Sequence, residues 1–413
     1  MSENMDYNKR IAVIGGGPAG MMAAGTAAEL GAKVTIFEHT DRLGKKLAIT
    51  GKGRCNVTNM CSVNEFMENV TRNPRFLYTA LYAFSPENAF DFFESLGVRL
   101  KVERGNRVFP EDDRAKTIVD AMRKYASAAE VVYENVTAVV PNDDGTLTIK
   151  SKSNYEFDAV IIATGGKSYP LTGSDGSGYR IASKLGHTVT EIKPSLIPIE
   201  SPSPLCARMM GLSLKNVAIK ILDKNEKAIY TDFGEMMFTH FGVTGPMILS
   251  ASAHIKDLDV SELTLSIDLK PALDEKTLDA RLLSDFKENS NKDFINSLSA
   301  LLPAKMIEPF VCAVGIDERK KVNSITKDER RAILTTLKDL RIPLSRLRPV
   351  EEAIITSGGV NVKEINPKTM ESKIIPGVYF AGEIIDVDAY TGGFNLQIAY
   401  STGYIAGKSA AEF

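Results

Sequence analysis

The sequence predicts an α/β fold: a parallel sheet with helices on it, a small antiparallel β-meander beside it, and an inserted β-rich domain that carries a helical subdomain. Three observations lead there. An apolar run, a glycine-rich turn and an alanine-rich stretch follow one another near the N-terminus. Strand-like patterning returns between positions 131 and 162, and a strand-then-helix texture reappears near the C-terminus after a long segment of different character.

The elements follow in order. Ile11 to Ile14 is a short apolar run suited to a buried strand, and Pro18 to Leu30 is rich in Ala, Met and Leu with Gly25 as its one breaker, so strand, turn and helix are expected. Lys33 to Phe37 reads as a second strand. Between the first strand and the helix stands Gly15-x-Gly17-x-x-Gly20. In that spacing Gly15 permits a tight turn, Gly17 lets the backbone approach a pyrophosphate, and Gly20 lets helix and strand pack closely. Pro18 and Ala19 open the helix, whose N-terminus presents free amides and positive dipole to an anion. Glu38, followed by His39, stands at the end of the second strand, where a carboxylate accepts hydrogen bonds from ribose hydroxyls. It would repel a 2′-phosphate, which argues against NADP there. Together these parts predict a Rossmann-like dinucleotide site, without deciding between FAD and NAD.

Positions 41 to 59, "DRLGKKLAITGKGRCNVTN", read as a polar loop rich in Gly and Lys that touches the ligand. "NPRFLYTALYAF", "PENAFDFFESLGV" and "KTIVDAMRKYAS" have helical spacing and read as packing helices. "VVYENVTAVV" and "GTLTIKS" read as a small hairpin, and "FDAVIIATGG" as a return to a buried parallel strand. "ATGG" ends that strand where an open sheet presents its ligand crevice, so Ala163, Thr164 and Gly165 are expected near the adenosine half of a dinucleotide, and Val136 near the adenine through its backbone. Gly173-x-x-Gly176-x-Gly178 lacks an adequate preceding strand and a terminal acid, so no second nucleotide domain is expected.

From 193 onward short strands alternate with turn residues, and helical spacing begins near Pro271. The expected division is therefore a discontinuous nucleotide-binding domain over 1–192 and 350–413, an inserted β-rich domain over 193–270 and 341–349, and a helical subdomain over 271–340. The runs "DERKK" and "KDERR" read as solvated helix faces. Thr244-Gly245-Pro246 fits a helix start with proline in its first turn.

Bulk properties narrow the function classes. Lys plus Arg number 50 against 52 Asp plus Glu, so no chain-wide charge attracts nucleic acid or an anionic membrane, and a small-molecule substrate in a defined pocket is expected. The polar N-terminus runs straight into the first strand and no apolar run approaches the ~20 residues of a membrane span, so a cytoplasmic protein is expected. The four cysteines contain no CxxC pair and there are four histidines, so no metal site is expected. Oligomeric state is not legible.

Five motifs in order, the opening glycine turn with Glu38, "GKGRCNVTN", "VIIATGGKSYPLTGSDGSGYRIASKLGH", "GEMMFTHFGVTGPMILSASA" and "SGGVNVKEINPKTMESKIIPGVYFAGEIIDVDAYTGGFNLQIAYSTGYIAG", resemble the bacterial FAD-binding oxidoreductases that include bile-acid-inducible flavoproteins and aminoacetone-oxidase-like enzymes. "ATGG", "GSDGSGYRIASKLGH" and "PGVYFAGE" more distantly resemble fumarate-reductase-type flavoproteins. The resemblance implies FAD rather than NAD, with NADH or NADPH docking transiently. It implies that Gly382 and Glu383 contact the pyrophosphate and ribityl chain with Asp386 near them, and that Gly392 and Gly393 lead into a helix whose amides at Asn395, Leu396 and Gln397 face the flavin ring. It also implies that Gly53, Arg54, Cys55, Asn56 and Asn59 lie along the ribityl chain and ring, and that Lys45 and Lys46 neutralise phosphate. Cys55 beside Lys52 and Arg54 is either a low-pKa redox thiol or an inert packing residue, and the inert reading is favoured because no resolving thiol is close in sequence. The catalytic candidates are His240, with Thr239 beside it, for proton exchange near neutral pH, and Arg54; Arg208 and Tyr390 are weaker candidates.

The implied reaction is NAD(P)H-driven hydride transfer through the flavin to an activated C=C bond, such as a 3-oxo-Δ4 steroid presents. The alternatives are oxidation of a small amine or aminoketone with oxygen as acceptor, and a non-catalytic flavin-binding regulatory or RNA-associated protein, against whose RNA form the balanced charge weighs.

Overall fold

The computed structural model describes residues 9–412. They form two compact units, one up to Ser195 and again from Val350, the other Leu196–Pro349.

The first unit is organised on five parallel strands. Their spatial order is Glu130–Val132, β2 (Lys33–Phe37), β1 (Arg10–Ile14), Ala159–Ile162 and Val378–Phe380. The chain therefore starts in the middle of the sheet, builds outward on one side, and crosses to the other. The reversal lies between β1 and Ala159–Ile162, the switch point at which open α/β sheets bind ligands. Ile11, Ala12, Val13, Val160, Ile161 and Ile162 are fully buried, as near-continuous apolar runs demand of strands covered on both faces.

Helix α1 (Pro18–Glu29) and the closing helix Phe394–Glu412 pack on each other at backbone distance. A Cβ on Gly403 would lie 2.4 Å from the Ala19 carbonyl oxygen, and one on Gly407 2.3 Å from that of Ala23. Glycine at two successive turns of the last helix is thus what joins the two separated parts of the chain. The three expected helices form as Tyr78–Ala83, Pro86–Ser95 and Ala115–Tyr125, the second opened by a capping box of Ser85 and Asn88.

Three features differ from the sequence expectation. The expected small meander forms from Ala138–Pro141, Leu147–Lys150 and Asn154–Phe157, one strand more than the hairpin reading of this stretch, and "VVYENV" is split off so that Glu130–Val132 becomes an edge strand of the parallel sheet. Tyr155 and Phe157 seat the meander by edge contacts to Phe37 at 5.2 and 5.8 Å. Lys193–Ser195, expected in the insertion, pairs with Ile355–Ser357 and belongs to the first unit. The 41–59 loop is not wholly a surface loop: Leu47, Cys55, Val57, Thr58 and Asn59 are buried.

The second unit carries a seven-stranded antiparallel sheet ordered Leu340–Pro343, Thr264–Asp268, Ser213–Leu222, Ala228–Phe238, Gly242–Thr244, Ile199–Glu200 and Arg346–Leu347. Helices Glu275–Glu288, Ala304–Val314 and Lys327–Lys338 lie in the stretch expected to be a separate helical subdomain. They have no core of their own: Leu278, Leu282, Phe310 and Leu337 share one cluster with Ile219, Leu265 and Ile342 of the sheet. The charged run "KDERR" caps and staples its helix, with Thr326 and Glu329 in a capping box and Arg330 2.8 Å from Asp279. No helix among the described residues is long and apolar enough to cross a membrane.

Candidate functional site

The glycine turn at the end of β1 assigns each glycine a separate task. Gly15 has φ +105° and a Cβ there would meet the Ala163 carbonyl oxygen at 2.5 Å, so the turn and the end of Ala159–Ile162 touch backbone to backbone. A Cβ on Gly20 would lie 1.9 Å from the Gly15 carbonyl oxygen. Gly17 is different: it is extended (φ −78°), and a Cβ added to it meets no atom within 4 Å. Its missing side chain leaves a free face at the start of α1. Pro18 takes the first helical position, and Ala19 and Gly20 bring amides that have no carbonyl to bond inside the helix. The main chain here offers donors and helix dipole to an anion.

Glu38 is held at the end of β2 by its own carboxylate, which accepts from the Gly16 amide at 2.9 Å and the Thr40 amide at 2.7 Å. It is nearly buried and so fixed at the rim of the turn. His39 is partly exposed beside it, with Nδ1 3.9 Å from the Glu38 carboxylate. Just past the neighbouring strand Ala159–Ile162, Thr164 Oγ1 is buried with no partner among the described residues, and Asn56 Oδ1 is in the same condition. Unpaired buried polar atoms are costly in a closed protein and ordinary where a ligand supplies the partner. A Cβ on Gly178 would lie 1.9 Å from Thr164 Oγ1, so this glycine serves close packing rather than a second nucleotide loop. Gly165 (φ +73°) turns the chain after the strand, and Ala163 and Val136 are buried.

At the other end, the closing helix begins after Gly392 and Gly393, both with positive φ. A Cβ on Gly393 would fall 2.4 Å from the Thr58 carbonyl, so the helix start is pressed against the 50s loop. The first amide to find a carbonyl is that of Gln397, on Gly393, which leaves those of Asn395 and Leu396 in the open first turn. The side chains are occupied elsewhere. Gln397 Oε1 accepts from Thr58 Oγ1 at 2.6 Å while its Nε2 donates to the Phe84 carbonyl at 2.9 Å, and Asn395 clasps Ala389 through its amide N–H and carbonyl.

Several expected ligand contacts are instead bonded within the protein. Arg54 reaches Glu103 and Asp113 and stacks over Phe109 at 4.1 Å, so its charge is already neutralised and a catalytic role is not supported by its geometry. Lys45 pairs with Asp41 at 3.0 Å. Lys46 donates to Glu383 at 2.8 Å and to Ser168 at 2.7 Å; Glu383 also accepts from the Thr356 amide at 2.8 Å. The Gly382 amide donates to Thr402 Oγ1 at 2.9 Å. Asp386 is buried in a pair with Arg72, reinforced by Asn73, whose Nδ2 donates to the Asp386 carbonyl at 2.6 Å. The sequence reading missed Ser168, Thr356, Arg72 and Asn73, because no local spacing joins residues so far apart in the chain.

Cys55 is fully buried in a left-handed conformation (φ +59°), and burial pushes its thiol up to about 12 despite a bond with Thr50. It is a packing residue, as the inert reading expected; the low-pKa redox alternative fails because Lys52 and Arg54 do not offset desolvation. Gly53 has positive φ and open space around it. Asn59 acts as a brace: its Nδ2 donates to the carbonyls of Gly105 at 3.0 Å and Gly392 at 3.1 Å. In the second unit His240 is exposed on the turn between Ala228–Phe238 and Gly242–Thr244, with Thr239 Oγ1 buried beside it. Arg208 of that unit is paired with Glu308. No group of His, Cys, Asp and Glu among the described residues is placed to hold a metal ion.

The first unit thus has a helix start with open amides and a free glycine face, a fixed carboxylate next to it, unpaired buried polar atoms at Thr164 and Asn56, and a second open helix start at the closing helix. An elongated dinucleotide fits that donor and acceptor set. The family model described as "HI0933-like protein Rossmann domain" matches residues 9–409. A 3-dehydro-bile acid Δ(4,6)-reductase of Clostridium scindens is 29% identical over 98% of this chain and 99% of its own. A ribosomal RNA dihydrouridine synthase of Escherichia coli is 29% identical over 96% of this chain and 98% of its own. Among solved structures, a flavocytochrome c3 fumarate reductase shares the fold with a TM-score of 0.51 at 17% identity, covering 98% of this chain and 78% of that one.

Proposed function

The chain belongs to the HI0933-like family of Rossmann-fold, FAD-dependent oxidoreductases, and on that premise we propose that it reduces a C=C bond conjugated to a carbonyl, drawing hydride from NADH or NADPH in the cytoplasm. One observation carries the flavin part of the reading: the free face at Gly17, set between helix amides and the fixed Glu38 carboxylate at the switch point of the sheet. FAD bound there supplies hydride transfer, which no side chain can perform.

The chain's own residues bind and orient. Gly17, Ala19 and Gly20 take the diphosphate on main-chain donors, Glu38 accepts from ribose hydroxyls, and Thr164 and Asn56 gain the partners they lack. The start of the closing helix places positive dipole at the other end, where negative charge is stabilised. The acceptor class comes from the chemistry shared by the two relatives. The Δ4 bond of a 3-oxo steroid and the C5=C6 bond of uracil are both α,β to a carbonyl, so each takes hydride at the β-carbon and a proton at the α-carbon. With FAD in the glycine turn, the nicotinamide docks outside it, and the proton for the α-carbon is drawn from solvent.

The test is anaerobic. Protein reconstituted with FAD is bleached with NADH or NADPH and mixed with a 3-oxo-Δ4 steroid or with uridine-containing ribosomal RNA. Recovery of oxidised absorbance with a saturated product supports the proposal, and the productive acceptor names the substrate. Bleaching by aminoacetone with no recovery by either acceptor would replace it with amine oxidation.

A further inference from the structure

We propose that the hairpin Leu100–Glu103/Arg107–Pro110 is an anion-recognition element for the substrate, with Arg104 and Arg107 at its tip as the binding groups. The proposal rests on the reductase reading for its choice of ligands.

The tip is rigid. Gly105 (φ +75°) and Asn106 (φ +58°) turn the chain, and Glu103 pairs with Arg107 to close the hairpin. It is also welded to the 50s loop: the Met60 amide donates to the Asn106 carbonyl at 2.8 Å and the Val108 amide to the Thr58 carbonyl at 3.0 Å. Asn59 then links the tip to the glycine turn of the closing helix, through Gly105 at 3.0 Å and Gly392 at 3.1 Å. Two arginines are therefore held on a fixed element that is one side chain away from the helix start read above as the flavin end.

Their electrostatics differ from those of the cations nearby. Arg54 and Lys101 share Glu103 and Asp113. Arg104 and Arg107 are exposed and have no carboxylate within ion-pair distance among the described residues; Arg107 Nε donates only to the Arg104 carbonyl, at 3.1 Å. Glu103, the one carboxylate of the hairpin, is thus taken by Arg54 and Lys101, and two guanidinium groups are left at the tip. Guanidinium recognises phosphate and carboxylate with paired hydrogen bonds. The shared ligand chemistry is an oxyanion near the acceptor ring: the phosphodiester flanking a uridine, or the side-chain carboxylate of a steroid acid.

The experiment measures binding directly, so that it does not depend on turnover. FAD-loaded wild type, Arg104→Ala/Arg107→Ala and Arg104→Lys/Arg107→Lys are titrated with three probes: fluorescein-labelled oligouridylate, a 3-oxo-Δ4 steroid carboxylic acid, and the corresponding neutral steroid. The alanine pair should bind one of the anionic probes about tenfold or more weakly, the order expected for lost charged hydrogen bonds, with the lysine pair recovering part of the loss. If the phosphodiester is the ligand, the slope of log affinity against log salt should fall by about 1 to 2. Binding of the neutral steroid should be unchanged by either pair. Equal binding of both anionic probes by wild type and the alanine pair, or no binding of either by wild type, would overturn the proposal. Failure of acceptor reduction with the arginine effect intact would instead count against the reductase reading alone.

Discussion

Replacing Gly17 with valine separates a glycine needed by the ligand from one needed by the fold. The position is extended and a Cβ there touches nothing, so the side chain enters the free face and not the protein. The cost to the folded chain is that of a poorer helix N-cap, about 1 kcal/mol, or a fall of roughly 2–4 °C in Tm at most. The cost to the cofactor is larger. If the valine displaces the diphosphate from two main-chain donors, the loss of two charged hydrogen bonds is about 3–6 kcal/mol, which is roughly a hundredfold to ten-thousandfold in FAD affinity. The assay is FAD titration of deflavinated protein followed by flavin fluorescence, with the Tm of both apoproteins measured beside it. Gly20→Ala is the contrast: its Cβ would sit 1.9 Å from the Gly15 carbonyl oxygen, so it should lower the apoprotein Tm. Unchanged FAD affinity in Gly17→Val would remove the diphosphate from this turn, and a collapsed apoprotein would make Gly17 a structural glycine after all.

Three further outcomes follow from the same geometry. Gly407→Val drives a Cβ into the Ala23 carbonyl, 2.3 Å away, so thermal unfolding should show roughly 3 kcal/mol of destabilisation from overpacking between α1 and the closing helix. His187 is buried between Glu364 and Ser372, and burial lowers its pKa below 6.5, so the folded state binds that proton less readily than the unfolded one. Its contribution is therefore present above that value and lost as pH falls below it; between about pH 7.5 and 5.5 the wild-type Tm should drop more steeply than that of His187→Gln. Equal slopes would refute the assignment. Mass mapping of alkylation in native protein at about pH 8 should find exposed Cys312 modified first and Cys55 only after unfolding, since burial holds its thiol near 12.

The glycine turn, Glu38 and the opening strand, helix and strand were legible because local chemistry dictates them: periodicity sets the elements, and the glycine spacing falls between a strand and a helix that adjacent residues define, although the close approach that requires Gly15 comes from the distant Ala163. The roles of charged residues were not. Arg54, Lys46, Glu383 and Asp386 all read as ligand contacts, yet Arg54 is neutralised by Glu103 and Asp113, Lys46 and Glu383 bond each other, and Asp386 holds Arg72. A side chain's polar group can be spent only where its partner is, and those partners come from distant segments.

By itself the sequence determined that a dinucleotide-type turn opens a parallel sheet and that the C-terminal strand and helix return to it, since apolar runs of these lengths have few ways to be buried. Only the tertiary structure decided which strand lies at the sheet edge, that the helices of the second unit share a core with its strands, that Cys55 is inert, and that Asn59 braces two loops. Those outcomes depend on desolvation and on contacts between residues far apart in the chain, quantities that exist only after the chain has folded.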